Sequence, residues 1–340
     1  MNPFDRKGYI LNGEKYTKVN DMKRIGILTS GGDAPGMNAV IRSVTRSAIY
    51  EGLDVVGIQR GFLGVLEGDF VPLTRRSVGN IVNKGGTILK TSRCAEFKEP
   101  AQQQVGYDNL LRHGIDGLVV VGGDGSMCGA RVLSDLGLPT VTIPGTIDKD
   151  MNGTDYTIGF DTALNTIIDG VSKIRDTSTA HDRVAIVEVM GRHAGHIAVY
   201  AGVACGAEVV LTPEVPMTLE EVKQSLENTT KNGKKNSIII VAEGAYSAYE
   251  VAQYIKEHTT YSPSVTVMGY LQRGGSPSAY DALMAARLGE AAVKAMLGGC
   301  THHLIGVHCH QISPIAYETA EVSAFPLDTS LYQLIRILGQ

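Results

Sequence analysis

The 340-residue sequence lacks tryptophan and contains only five cysteines and 12 prolines. It also has no apolar run near the ~20 residues that a membrane-spanning helix needs, so no membrane partner is expected. The net charge of −4 gives no basic field, which argues against a nucleic-acid partner. The cysteines are scattered, odd in number and without a CxxC pair, as is typical of a chain kept reduced. We therefore expect a cytoplasmic protein without structural disulfides.

The first 21 residues mix charges, glycine and tyrosine without the apolar centre of a signal peptide. We expect residues 1–21 to be an N-terminal extension, followed by a globular region that begins at Met22. With 43% hydrophobic and 19% charged residues overall, the chain is suited to one elaborate domain or two ordinary ones.

Glycine is the residue in excess, with 40 copies that cluster after short β-branched runs. Most of these runs precede a helical pattern, such as those at 36–51 and 218–232, and this alternation predicts a mostly parallel sheet covered by helices on both faces. In such α/β folds, ligands bind beyond the carboxyl ends of the strands. The predicted strands lie within 24–32, 116–123, 140–145, 183–191, 236–244 and 264–270.

Three glycine loops are typical of phosphate binding: TSGGDAPG (29–36), NKGGTILKTSR (83–93) and VVGGDGSMCG (121–129). Without a Cβ, their backbone N–H groups can approach phosphate oxygens, and a following helix adds its positive end. Asp124 lies in the third loop, where a carboxylate can reach a metal ion bound to a nucleotide polyphosphate. The chain contains neither a Walker A loop nor GxGxxG, which disfavours P-loop kinases and dinucleotide dehydrogenases.

The stretch PGTIDKD (144–150) places Asp148 and Asp150 on either side of Lys149. In an extended segment both carboxylates would project to one side and the lysine to the other. One interpretation is a general base beside a metal-side acid. The other is a polar turn in which Asp150 caps the next segment, and the peptide alone favours this turn.

Six motifs together resemble the bacterial ATP-dependent 6-phosphofructokinases of the phosphofructokinase A family. The resemblance runs from Met22 to near the C-terminus. The motifs are GGDGS (122–126), PGTIDKD (144–150), RDTSTAHDR (175–183), VMGRHAGH (189–196), AEG (242–244) and GYLQRGGSP (269–277).

The resemblance implies a homotetramer whose subunit has two Rossmann-like three-layer α/β domains with mostly parallel sheets. The larger, ATP-binding domain would comprise 22–159 plus about 272–322, and the smaller, sugar-phosphate domain about 160–271 plus 323–340. The implied reaction transfers a phosphoryl group from MgATP to the 1-hydroxyl of fructose 6-phosphate.

The resemblance also implies roles for individual residues. Asp148 would be the base, Asp150 and the metal-binding Asp124 would lie beside Mg²⁺, and Thr146 and Arg192 would hold the transferring group. The implied nucleotide site is Gly32, Arg93, Cys94, Gly123, Asp124, Gly125, Ser126 and Gly129. The implied sugar-phosphate site is Thr146, Ile147, Asp148, Arg183, Met190, Gly191, Arg192, Glu243, Tyr270 and Arg273. The implied effector site for ADP or phosphoenolpyruvate is Arg42, Arg46, Arg75, Arg175, Gly206, Glu208 and Lys234.

Two glycines indicate the phosphoryl donor. Relatives that use pyrophosphate carry Asp and Lys at the positions of Gly125 and Gly145, where they fill the space of the nucleotide. Because both positions are glycine here, the resemblance favours ATP.

Four departures from the family pattern concern the sugar-phosphate site and the paired acids. Ser264 replaces an arginine and Tyr270 a histidine of the 6-phosphate site, which the family builds from two subunits. Ala282 stands where an arginine is common, and Lys149 replaces an asparagine. We expect Lys149 to face away from Asp148. Three interpretations stay open: drift in a working enzyme that needs more fructose 6-phosphate, a shifted sugar-phosphate acceptor, or a weakly active regulatory paralogue.

Overall fold

The computed structural model describes residues 9–11, 14–16, 22–231, 234, 236–322 and 326–339. The expected N-terminal extension lies largely outside these residues, apart from two short strands that pair antiparallel, Tyr9–Leu11 and Glu14–Tyr16. Residues 323–325 and 340, expected in the smaller domain, also lie outside them.

Strands and helices alternate along most of the described chain. The strands are β1 Tyr9–Leu11, β2 Glu14–Tyr16, β3 Arg24–Thr29, β4 Asp54–Ile58, β5 Phe70–Leu73, β6 Gly117–Gly122, β7 Thr140–Pro144, β8 Val184–Val189, β9 Val209–Leu211, β10 Ser237–Ala242, β11 Pro263–Val267, β12 His302–His308 and β13 Gln311–Ala316. The α-helices are α1 Met37–Tyr50, α2 Phe62–Glu67, α3 Pro100–Arg112, α4 Asp124–Asp135, α5 Phe160–Ala180, α6 His196–Cys205, α7 Leu219–Lys231, α8 Ala248–His258, α9 Ala279–Leu297, α10 Tyr317–Val322 and α11 Thr329–Leu338. Short 3₁₀ helices span Glu96–Lys98 and Gly269–Arg273.

The chain folds into two compact units, each built from separated segments. The larger unit comprises Met1–Thr146, Met151–Gly159 and Arg273–Phe325. The smaller unit comprises Ile147–Asp150, Phe160–Gln272 and Pro326–Gln340. The ligand-binding roles expected for two such domains stay predictions.

The larger unit contains a seven-stranded sheet in the order β13-β12-β7-β6-β3-β4-β5. Its five inner strands are parallel, and β13 and β5 are antiparallel edge strands. All residues of β6 and β7 are buried, as expected for strands covered on both faces. Leu118 and Val120 of β6 share a core with residues of α2, α3 and α4, while α1 and α9 contact strands of the same sheet.

The smaller unit contains a four-stranded, wholly parallel sheet in the order β11-β8-β10-β9. The strand β10 is buried along its length, and Ile239 and Val241 share a core with residues of α7 and α8. The predicted α/β class with mostly parallel sheets is therefore confirmed, and all six predicted strands form. Both predicted helices also form, as α1 and α7.

Candidate functional site

In the larger unit, the first and third glycine loops come together at the carboxyl ends of β3 and β6. The amide of Ser30 donates a hydrogen bond to the carbonyl of Val121 at 2.9 Å. A Cβ on Gly122 would lie 2.5 Å from the carbonyl oxygen of Ser30 and 2.4 Å from the Oγ of Ser126. Only glycine permits this approach, so the two loops form one continuous backbone surface.

The second glycine loop is held to α1 and to β3 by one polar side chain from each. The buried amide of Asn38 donates to the carbonyls of Lys84 and Gly85 at 3.0 and 3.1 Å. The hydroxyls of Thr29 and Thr87 share a hydrogen bond at 2.8 Å. Sequence reasoning missed Asn38, although a polar residue among the apolar positions of a predicted helix is a usable signal.

The helix α4 begins at Asp124, directly after the β6 strand and Gly123. Its first amides and its dipole favour an anion at this end. A Cβ on Gly125 would have no atom within 4 Å, so the helix end has open space beside it. No group of three potential metal-binding side chains occurs in the described chain, so a Mg²⁺ ion here would share Asp124 with phosphate oxygens and water. The donor set fits that mode of binding.

Two residues expected at the nucleotide site have packing partners of their own. A Cβ on Gly129 would lie 2.4 Å from the ring of Phe62, so this glycine lets α4 approach α2. Cys94 is half-buried against the core of the larger unit, and burial raises the pKa of its thiol. Packing accounts for both residue types, and their nucleotide roles stay predictions.

Arg273 lies against the first glycine loop. A Cβ on Gly32 would lie 2.0 Å from Nη1 of Arg273, and the buried Nε of this arginine has no hydrogen-bond partner in the described chain. The structure therefore brings together a residue expected at the sugar-phosphate site and one expected at the nucleotide site. Thr146 lies close to the third loop, with its Cβ 3.7 Å from the position of a Cβ on Gly123.

In the smaller unit, Asp148 and Lys149 are buried, with 8% and 7% of their surface exposed. The expectation of an extended segment is wrong at Lys149, whose φ of 55° is left-handed. Side chains do not alternate through such a residue. The ammonium of Lys149 donates a hydrogen bond to the hydroxyl of Tyr200 at 3.0 Å.

The pKa of Asp150 is raised above its ordinary value. Burial is the main cause, because it disfavours the charged carboxylate. A hydrogen bond from its own backbone amide and, to a smaller extent, the positive charges of Arg192 and His193 oppose the rise.

Four residues expected at the sugar-phosphate site meet at the carboxyl ends of β8 and β10. The turn after β8 contains Gly191 with a φ of 138° and Arg192 with a φ of 58°. The amide of Arg192 donates to the carboxylate of Glu243 at 2.9 Å, and that of Met190 donates to Oε1 of Gln272 at 3.2 Å. Gln272 is fully buried and was missed by sequence reasoning, although it lies within the quoted motif GYLQRGGSP.

Arg183 lies apart from that cluster within the same unit. It precedes β8 at the amino end, whereas Met190 follows β8 at the carboxyl end, a separation of roughly 23 Å at 3.3 Å per residue. Ser264 is on the neighbouring strand β11, paired with Ala185, and therefore also lies toward the amino end. Tyr270 follows β11 at the carboxyl end and is 83% exposed.

The residues expected at the effector site fall into three groups. Arg42 and Arg46 line a cavity of about 380 Å³ that Arg287 of α9 also lines. Arg75 lines a different cavity of about 920 Å³, with a largely apolar wall. The structure therefore does not place Arg75 in the cavity of Arg42 and Arg46.

The third effector group lies in the smaller unit. The guanidinium of Arg175 donates to the carbonyl of Gly206 at 3.1 Å. The buried carboxylate of Glu208 accepts hydrogen bonds from the ammonium of Lys234 and the amide of Ile238. The four residues expected in this group therefore lie in one region: Arg175 bonds to Gly206, Lys234 bonds to Glu208, and Gly206 and Glu208 are two residues apart in the chain.

Comparison with known proteins gives a consistent assignment. Residues 24–296 match the profile of the family described as "Phosphofructokinase". ATP-dependent 6-phosphofructokinases of Bacillus cytotoxicus and Bacillus mycoides are each 50% identical over 318 residues, which cover 94% of this chain and all of theirs.

Solved structures give the same picture. Phosphofructokinase from Saccharomyces cerevisiae is 34% identical with a TM-score of 0.82, over 93% of this chain and 48% of the yeast chain. The T-state enzyme of Pichia pastoris is 33% identical with a TM-score of 0.85, over 95% of this chain and 37% of its own. This chain thus spans about half or less of those longer proteins. A pyrophosphate-dependent phosphofructokinase from Marinobacter aquaeolei, at 21% identity and a TM-score of 0.83, shares the fold. With its family profile matched over most of its length, the chain belongs to the phosphofructokinase family.

Proposed function

We propose that this protein is an ATP-dependent 6-phosphofructokinase. It transfers the terminal phosphoryl group of MgATP to the 1-hydroxyl of fructose 6-phosphate, giving fructose 1,6-bisphosphate and ADP in glycolysis. The observation that carries the proposal is the full-length match at 50% identity to proteins with this named activity. The three acids Asp124, Asp148 and Asp150 and the glycine loops are the groups that this chemistry needs, and this chain has all of them.

The larger unit supplies the nucleotide-binding features. Its joined glycine loops present backbone amides, and the open N-terminal end of α4 favours phosphate. A Mg²⁺ ion held by Asp124 and the phosphates would neutralise charge on the transferring group. The open space at Gly125 supports ATP as the donor, because a carboxylate at that position would face the same phosphates.

The smaller unit supplies the acid–base features. Asp148 accepts the proton of the sugar 1-hydroxyl as that oxygen attacks the phosphorus. Arg192 provides positive charge for the transferring phosphoryl group, and its backbone is fixed through Glu243. Phosphoryl transfer needs positioning and charge neutralisation more than covalent help, and an arginine and a buried base suit both needs.

The proposed assembly is a homotetramer. Arg183 and Met190 lie at opposite ends of β8, so they do not bind the same small sugar phosphate within one chain. A second copy that contributes its own Arg183 would complete the phosphate site. This separation supports at least a dimer, and the tetramer is the state that the family resemblance implies.

The proposed effector is ADP or phosphoenolpyruvate. Clustered guanidinium groups suit the anionic parts of both compounds. Within the larger unit, Arg42 and Arg46 line one cavity and Arg75 lines another, so an effector that contacts all three arginines would need residues from more than one chain. Regulation would then depend on assembly.

No helix in the described part of the chain is both long and apolar enough to cross a membrane. The proposed cytoplasmic location rests on the reaction, because both ATP and sugar phosphates are charged metabolites held inside the cell.

A shifted sugar-phosphate acceptor is the second candidate function. Ser264 and Tyr270 favour it, since neither provides the positive charge that the family places at the 6-phosphate. A purified-protein assay of ADP release across hexose phosphates decides between the two, with ATP, GTP and pyrophosphate as donors. Fructose 6-phosphate should give the highest kcat/KM with ATP. Faster turnover of another hexose phosphate would support the second candidate. No ADP release with any of these substrates would support the regulatory paralogue.

A further inference from the structure

Lys149 is a buried lysine in a left-handed backbone conformation. Only 7% of its surface is exposed, and its φ is 55°. Lysine is seldom buried without a partner, and a residue with a Cβ seldom adopts this backbone region. Such a conformation persists only where the surrounding structure holds it in place.

The ammonium group of Lys149 is held by two aromatic side chains of the smaller unit. Its Nζ lies 4.4 Å from the ring centroid of Tyr200 and 5.0 Å from that of Phe160. It also donates a hydrogen bond to the hydroxyl of Tyr200 at 3.0 Å. The two rings meet edge to face, with their centroids 5.3 Å apart. This is a desolvated cation–π contact with a hydrogen bond, which we call the lysine anchor.

Two segments of the smaller unit meet at the lysine anchor. Ile147–Asp150 carries the lysine, and Phe160–Gln272 provides both rings. The third segment begins just before Asp328, at the start of α11. The pKa of Asp328 is lowered mainly by hydrogen bonds from a neighbouring serine, and the charge of Lys149 adds to the effect. One side chain therefore connects the short acidic loop to the long segment Phe160–Gln272.

We propose that Lys149 is a positioning residue that holds the carboxylate of Asp148 in its reactive direction through the lysine anchor. This inference rests on the proposed function, in which Asp148 is the general base. Residues 148 and 149 share a peptide group, so the left-handed turn at Lys149 determines where the preceding side chain points. Catalytic geometry is demanding, since a displacement of about 1 Å costs roughly 10²-fold in rate. Lys149 thus matters for turnover even though its ammonium lies against Tyr200.

The test is a double-mutant cycle on the full-length protein. It compares the unmodified protein with Lys149→Met, Tyr200→Leu and the double variant, and measures kcat, both KM values and the thermal unfolding midpoint. Each single change should lower kcat by about tenfold or more and leave both KM values within about threefold, because substrate contacts stay intact. The double variant should be no slower than the slower single variant, because both changes break the same anchor. Lys173→Met is the matched control, since that lysine is exposed on α5.

The outcomes separate this inference from the proposed function. If Lys149→Met retains kcat within about twofold of the unmodified protein, or the two single effects multiply, the positioning role is wrong. Tyr200→Phe keeps the ring and removes only the hydroxyl, so it folds even where larger changes do not. It should lower kcat by about threefold, as expected for one lost hydrogen bond, with KM unchanged. An unmodified protein without fructose 6-phosphate-dependent ADP release overturns the proposed function, and the inference with it.

Discussion

The guanidinium group of Arg273 occupies the space that a side chain on Gly32 would need. An ideal Cβ at residue 32 would lie 2.0 Å from Nη1 and 2.7 Å from Cζ of Arg273. Both residues belong to the larger unit, so the contact forms within one compact body. The absence of a side chain at position 32 therefore determines where this arginine rests.

Gly32→Ala should displace Arg273 without unfolding the protein. The atoms in the way are the far end of a flexible side chain, so the free energy of unfolding should change by less than about 1 kcal/mol. If Arg273 binds the 6-phosphate as proposed, KM for fructose 6-phosphate should rise by about tenfold or more, since a charge-assisted hydrogen bond is worth ~1.5–3 kcal/mol. Steady-state kinetics measure the change, with Gly125→Ala as a glycine control in open space. An unchanged KM would exclude Arg273 from the phosphate site.

Asp148→Asn should lower turnover by at least ~10²-fold, the lower end of the contribution of a general base. The amide is similar in size but does not accept the proton of the sugar hydroxyl. The dissociation constant for ATP should change little, because the proposed role is in the chemical step. Asp169→Asn, at an exposed carboxylate of α5, is the matched control. Near-normal turnover in Asp148→Asn would remove this residue as the base.

Gly125→Asp should damage the use of ATP. The new side chain fits sterically, because no atom lies within 4 Å of the position that a Cβ would take, so folding should be preserved. Its carboxylate would oppose the phosphate charges at the start of α4, and KM for ATP should rise by at least about tenfold. Gly125→Ala adds a side chain without charge, so its KM for ATP should rise much less than that of Gly125→Asp. Unmodified protein that turns over faster with pyrophosphate than with ATP would contradict the donor assignment.

The double change Ser264→Arg and Tyr270→His should tighten the binding of fructose 6-phosphate. It adds up to two charge-assisted contacts of ~1.5–3 kcal/mol each, so KM should fall by at least about tenfold. Turnover should change less, because contacts with a remote phosphate stabilise the ground and transition states alike. Tyr249→His, another exposed tyrosine of the smaller unit, is the control. A KM that stays constant would favour the shifted acceptor.

Asp150→Asn should stabilise the metal-free protein near neutral pH. Burial raises the pKa of Asp150 in the folded state, so the folded protein binds this proton more tightly than the unfolded chain does. Ionisation of Asp150 therefore lowers the free energy of unfolding. This loss of stability is absent below the pKa that Asp150 has in the unfolded chain, and it is complete once the pH exceeds the pKa of Asp150 in the folded protein. The gain in unfolding midpoint should therefore shrink as the pH falls through this window. Thermal unfolding at a series of pH values measures it, and a pH-independent difference would contradict the assigned cause.

The strands and glycine loops were predictable because their signals are local. Runs such as GLVVVG need burial on both faces, and glycine after a strand leaves room for the backbone of a neighbouring loop. The distance between Arg183 and Met190 was also predictable from the sequence. The two residues lie near opposite ends of one predicted strand, and the rise per residue of a strand is known.

The conformation of Lys149 was not predictable from the sequence. The peptide DKD is compatible with an extended strand, and the left-handed backbone is held by Phe160 and Tyr200, which are distant in sequence. Gln272 likewise meets a partner distant in sequence, because its side-chain oxygen accepts a hydrogen bond from the amide of Met190. Long-range partners decide such positions, and no local pattern indicates which partners will meet.

The order of strands in the larger sheet has a consequence for synthesis of the chain. The strand β7 pairs on one side with β6, which is made earlier, and on the other with β12, which is made much later. At the ribosome's rate of about 5–20 residues per second, the open edge of β7 persists for roughly ten to thirty seconds. An unpaired edge of a buried, apolar strand is a template for aggregation. The nascent chain is thus most vulnerable in this interval, and any product truncated before β12 keeps that exposed edge permanently.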